Sequence, residues 1–159
     1  MKRLFAFLLW ISLSTASWAG AWGAGSFEND DALDCVASCT GQNDESCLSQ
    51  ALQAVRSASY VEAPDAAAAV AAAEVIAAVL DSNQAALPTE LRSWLAKQDQ
   101  SRIRALAPFA STALNRIANS RVSELAALWS EDAKSNWDVR IKALAGRLSS
   151  LTKQSTRTR

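Results

Sequence analysis

The 159-residue sequence predicts an all-α fold: a single-domain bundle of six to seven short helices behind a Gly/Trp-rich N-terminal segment. Three observations lead there. Half of the residues are hydrophobic, enough to fill the core of one domain. Glycine and proline are scarce, at five and three, while alanine, the strongest helix former, recurs throughout. Apolar residues repeat at spacings of three and four, and no stretch alternates with the period of two that a half-buried strand requires.

The chain opens with a targeting signal. Lys2 and Arg3 precede an apolar run from Leu4 to Leu13, and small polar residues lead to Ser17-Trp18-Ala19. A short cationic region, an apolar stretch too brief to span a bilayer and small residues before the cut describe a cleavable secretory leader. Residues 1–19 are therefore expected to be removed after Ala19, leaving Gly20 as the mature N-terminus in the periplasm or outside the cell. The helical domain is expected over residues 20–151, with a polar, frayed tail over 152–159. A membrane span takes about 20 apolar residues, and no segment after the leader reads as long enough, so no membrane association is expected after cleavage.

The helices follow in order. Asn29-Asp30-Asp31 supplies a cap and negative charge for a first helix starting near Ala32. Asp44 caps a second, from Glu45 to about Tyr60. Pro64 suits the first turn of a third, which runs to about Leu80. This segment is apolar on nearly every side, as a helix at the centre of a bundle must be. Pro88 begins a short fourth helix carrying Trp94. A fifth spans roughly Ser101 to Ala118, with Pro108 expected to kink or break it. Ser120 is the expected cap of a sixth, with Val122, Leu125, Leu128 and Trp129 as its buried stripe. The last runs from Trp137 to about Leu151, where Trp137, Ile141, Leu144, Leu148 and Leu151 form a continuous seam.

Charge is balanced overall, at 16 basic and 16 acidic residues, yet unevenly distributed. Residues 20–65 carry eight acids and one base, Arg56, near −7; residues 66–159 carry eight acids and thirteen bases, near +5. Such an asymmetry either steers a partner or pairs the two ends of the fold. The bases are scattered singly, with no basic run interleaved with aromatics, so no nucleic-acid surface is expected.

Three cysteines, Cys35, Cys39 and Cys47, lie close together, and export makes a disulfide the first expectation. Cys35 and Cys39 stand one turn apart on the first helix, and the Thr40–Asp44 turn folds Cys47 back toward Cys39. Cys39–Cys47 is the preferred bridge, with Cys35–Cys47 second. A zinc-type site needs a fourth ligand, and with no histidine in the chain only carboxylates remain to supply it. A catalytic thiol lacks a histidine base, which leaves only redox chemistry at Cys39.

One segment is unlike a generic bundle: Gly20-Ala-Trp-Gly-Ala-Gly-Ser-Phe-Glu-Asn-Asp-Asp-Ala-Leu-Asp34. Its pattern resembles the opening of a bacterial domain-of-unknown-function family, number 4259, through Gly20, Trp22, Gly23, Gly25, Phe27, Asn29, Asp30, Ala32 and Asp34. Later landmarks are similar too: Ala72-Ala73-Glu74-Val75-Ile76-Ala77-Ala78, Leu87-Pro88, Trp94, Glu124-Leu125 and Leu128-Trp129. The resemblance implies a helical domain and supplies no activity. The leader and the three cysteines depart from the family pattern and suggest an exported variant.

The motif also has a physical reading. Glycines permit positive φ and close backbone approach, so Trp22 and Phe27 can plug into the bundle. Glu74, a carboxylate within an apolar helix, costs several kcal/mol unless satisfied. It is expected to accept hydrogen bonds from the N-terminal segment, from the Gly20 amino group or the Trp22 indole. The competing reading puts Glu74 with Asp30, Asp31 and Asp34 in a carboxylate cluster for metal or acid–base chemistry, at separations of about 5–9.5 Å in glycosidases.

No histidine, Gly-x-Ser-x-Gly elbow or phosphate loop is present, so neither an enzyme nor a cofactor is expected. The leading expectation is a protein–protein module, such as an inhibitor or immunity-type protein, whose partner's identity the sequence does not reveal. The alternative is a binder of small molecules or envelope polymers that uses tryptophans, with Trp94 as the exposed anchor.

Overall fold

The computed structural model describes residues 23–132 and 134–157. The expected leader, Gly20 and Trp22 lie outside them. Eight helices are present among the described residues: α1 (Asp30–Thr40), α2 (Ser46–Ser57), α3 (Ala63–Leu80), α4 (Thr89–Leu95), α5 (Gln100–Ala105), α6 (Ala107–Ile117), α7 (Glu124–Ser130) and α8 (Trp137–Arg157). Together they form one all-α domain. The count exceeds six to seven because Pro108 breaks the expected fifth helix instead of kinking it. Pro108 sits in the first turn of α6, where its missing N–H costs nothing, and Leu106 separates the two pieces.

Helix α3 is the axis of the bundle, packing against α1, α2, α5, α6, α7 and α8. Ala66, Ala69, Ala72, Ala73 and Ala77 on it are fully buried. Small side chains of this kind let several neighbouring helices approach one cylinder. By length and composition α3 is also apolar enough to cross a membrane, contrary to the sequence expectation; here its faces are covered by other helices. Its C-terminus closes in a Schellman-type turn: Asn83 N–H bonds Ala78 O at 3.0 Å, and Ser82 takes a positive φ of 58°.

Helix boundaries follow local chemistry. Asn29 is extended and accepts the Ala32 N–H at 2.7 Å, capping α1. Asp44 accepts the Ser46 N–H at 2.9 Å, although Glu45 holds the N-cap position of α2. Helix α2 stops at Ser57, before Tyr60, where Ala58 turns to an extended backbone with ψ 140°. Arg116 Nη2 donates to Ala58 O and, at 3.0 Å, to Ser59 O.

Downstream, Val61 forms an isolated parallel bridge with Ser123, bonding Val122 O at 2.8 Å and the Glu124 N–H at 2.9 Å. That bridge moves the α7 cap from the expected Ser120 to Ser123, whose side chain accepts the Ala126 N–H. The expected α7 stripe is correspondingly altered. Ala126 is buried and Leu125 and Trp129 are half-buried, but Leu128 turns outward.

The α8 seam is as expected, with Trp137, Ile141, Leu144 and Leu148 buried, and α6 is its most extensive partner. Trp129 and Trp137 stack at 6.4 Å between ring centroids. The helix continues to Arg157, so the expected end at Leu151 is too early. Thr152 is accommodated by donating its hydroxyl to Leu148 O at 2.8 Å.

Candidate functional site

The described part of the opening motif is a short irregular segment running into α1. Phe27 is half-buried against the core, as expected of a plug. The glycines act differently from expectation, since neither Gly23 nor Gly25 has positive φ. Both instead pack closely against the flexible Glu28 side chain. The Glu28 side chain folds back and accepts the Gly25 N–H at 2.8 Å. A Cβ on Gly23 would lie 2.1 Å from Glu28 Oε2, and one on Gly25 would lie 2.6 Å from its Cδ.

From this segment Ser26 reaches α3. Its hydroxyl donates to Glu74 Oε1 at 3.0 Å, so the N-terminal segment does supply a donor to Glu74. It is a residue the sequence reading did not single out; the anticipated donors Gly20 and Trp22 lie outside the described residues. The other Glu74 oxygen faces Arg147 of α8, with Nη1 at 3.4 Å. Arg147 also donates through Nε to Asp81 Oδ2 at 2.9 Å, and again through Nη2.

One guanidinium thereby joins Glu74 of α3 and Asp81 at its C-cap to α8, while Ser26 ties in the N-terminal segment. A part-buried carboxylate with both oxygens partnered carries little of the cost of an orphaned one. No spacing in the sequence announces Arg147. Its one hint is a place beside Leu148 on the α8 seam.

The alternative carboxylate cluster is not assembled. Asp30, Asp31 and Asp34 lie together on α1, but Glu74 turns to Ser26 and Arg147 instead. Among the described residues, no group of three or more His, Cys, Asp or Glu is placed to hold a metal ion. The α1 carboxylates interact with one another nonetheless. Burial, followed by the neighbouring Asp34 and Asp30 charges, raises the Asp31 carboxyl above its ordinary range. Glu28, Asp30 and Asp34 are exposed, and no ion pair to a base is present at any of these acids among the described residues.

Cys39 and Cys47 are bonded, with Cα atoms 5.2 Å apart, in the pairing preferred from the hairpin geometry. Cys35 is free and half-buried, with its thiol 3.6 Å from Ala68 O. Burial pushes that thiol upward in pKa, away from the thiolate that redox or nucleophilic chemistry needs.

Trp94 is the clearest correction. It is only 5% exposed and is therefore not an exposed anchor. On α4 it is buried with Leu91 and Leu95, and its indole N–H donates to Gln42 O at 3.0 Å, in the turn between the two bonded cysteines. Trp94 also lines an open recess of about 430 Å³ with Gln42, Glu90, Lys97 and Gln98. The later landmark Glu124 is structural too: its Oε2 accepts the Ala63 N–H at 2.8 Å, completing the first turn of α3.

The model of a domain-of-unknown-function family, DUF4259, matches residues 20–139. The chain belongs to this family. No curated protein and no solved structure matches it. The DUF4259 match takes in Ser26, Glu74, Asp81 and Glu124 and ends just inside α8. Arg147, which closes the polar junction, lies beyond it.

Proposed function

We propose that this DUF4259 chain is a non-catalytic, exported protein–protein interaction module, of inhibitor or immunity type, that meets a basic partner through the acidic face of α1. The observation that carries this reading is the state of the charges. Glu74, Asp81 and Glu124 are committed to holding helices together, whereas Asp30, Asp31 and Asp34 repel one another at the start of α1. Burial, and after it the like charges of Asp34 and Asp30, raise the Asp31 carboxyl.

An unneutralised acidic surface gains from a cationic partner both attraction and relief of its own repulsion. Such complementarity chiefly raises the association rate and excludes wrong partners. The alternative, a tryptophan-based binder of small molecules or envelope polymers, loses support with the burial of Trp94 and Trp137.

The test is affinity capture of the tagged mature protein from its own envelope extract after mild crosslinking, read by mass spectrometry. A single stoichiometric partner with a basic surface supports the reading. Recovery of the bare protein alone contradicts it.

A further inference from the structure

A second surface lies between α2 and α6. There Ser49, Leu52, Gln53, Arg56, Leu106 and Phe109 line an open, mainly apolar recess of about 150 Å³. Phe109 leaves 47% of its surface exposed at this recess. Over its ring sits the Arg56 guanidinium, 5.5 Å from the centroid. Arg56 has no carboxylate partner among the ion pairs of the described residues, and it is the single base among residues 20–65.

We infer that this recess docks a bulky apolar side chain of a protein partner that carries a carboxylate beside it, as in an acidic peptide segment with a Leu–Glu or Phe–Glu step. Size argues for a side chain. Pockets for drug-sized ligands run to about 300–1,000 Å³, well above the volume here, so one residue fills it. Charge sets the neighbour's sign. The Arg56 guanidinium lies over the ring and makes no ion pair among the described residues, and a planar guanidinium resting on an aromatic face binds a carboxylate with less loss of freedom than a mobile lysine. Arg56 is the single base of residues 20–65, so within that acidic stretch of sequence it is the residue that attracts an acid. None of the α1 carboxylates takes part, and the inference stands independently of the proposed α1 interface.

The experiment is a titration of the isotopically labelled mature protein, followed by amide chemical shifts, with two blocked peptides: acetyl-Ser-Leu-Glu-Ser-amide and its Gln counterpart. The expected result is saturable shifts clustered at Leu52, Arg56, Leu106 and Phe109 with the Glu peptide. The Gln peptide, or the Arg56→Gln protein titrated with the Glu peptide, is expected to bind roughly two- to fivefold more weakly, the range of an exposed ion pair. Phe109→Ala, an exposed position whose loss leaves the core intact, abolishes the clustered shifts. Absence of shifts at millimolar peptide overturns the inference. Equal binding of both peptides to both proteins, or shifts unaffected by Phe109→Ala, overturns it as well.

Discussion

Ser26 and Glu74, 48 positions apart, meet through a 3.0 Å hydrogen bond that fastens the N-terminal segment to the central helix. The remaining Glu74 oxygen is taken by Arg147 of α8. Glu74→Gln keeps the volume but removes the charge that Ser26 and Arg147 recognise. Because the pair is partly exposed and Arg147 retains Asp81, the expected loss is modest, about 1 kcal/mol. For a domain of this size that corresponds to a fall in Tm of roughly 3–6 °C by circular dichroism. An unchanged Tm removes the junction from the account of stability.

The disulfide joins cysteines eight positions apart. By loop-closure entropy, replacing both with serine costs about 2.5 kcal/mol, read as a lower urea midpoint. The wild-type protein without reductant should show one titratable thiol in denaturant, Cys35. Its half-buried and poorly ionised state predicts slow labelling in the folded protein. Rapid labelling of two or more thiols without denaturant contradicts the pairing.

At the end of α3, Ser82 holds a left-handed backbone at φ 58°, which costs a residue bearing a Cβ about 1 kcal/mol relative to glycine. Ser82→Gly is therefore expected to raise Tm by a few degrees, partly offset by the greater freedom glycine brings to the unfolded chain. Ser82→Val, β-branched and poorly tolerated there, is expected to lower it.

Asp31 sets a pH dependence with a definite sign. Its folded carboxyl is raised above the ordinary 3.8, so between that value and the folded one the native state binds more protons than the unfolded state. Stability contributed by this group accordingly falls as pH rises through that window and stays low above it. Asp31→Asn is expected to stabilise the protein at pH 7, with the gain shrinking as pH falls through that window and absent below 3.8. Parallel melts of both proteins from pH 3 to pH 8 check the sign; a gain that instead grows toward acid pH contradicts it.

Much of this architecture was legible in the sequence because it rests on local chemistry. The Asn29 cap, Pro64 at the start of α3, the all-round apolarity of that helix and the α8 seam are all encoded within a few residues. The Cys39–Cys47 bridge followed from one turn between two helices. What escaped was set by distant contacts. Ser123 replaces Ser120 as a cap because Val61 pairs with it across the fold. Leu128 consequently faces outward, and α2 ends early where Ala58 turns extended and its carbonyl meets Arg116. Trp94 belongs to a helix of seven residues, too short for its periodicity to tell a core face from a surface one. Arg147 finds Glu74 across 73 positions, a pairing that no local pattern can announce.

The central claim, recognition through the acidic face of α1, is tested most directly by parallel capture with two baits. The wild-type mature protein and an Asp30→Asn/Asp34→Asn double variant are offered the same envelope extract, at low and at high salt. Both substitutions are at exposed positions and leave the Asn29 cap intact, so both baits are expected to fold. The account predicts a stoichiometric basic partner on the wild-type bait at low salt, with recovery falling at high salt and strongly reduced on the variant. Equal recovery on both baits, or recovery insensitive to salt, contradicts it.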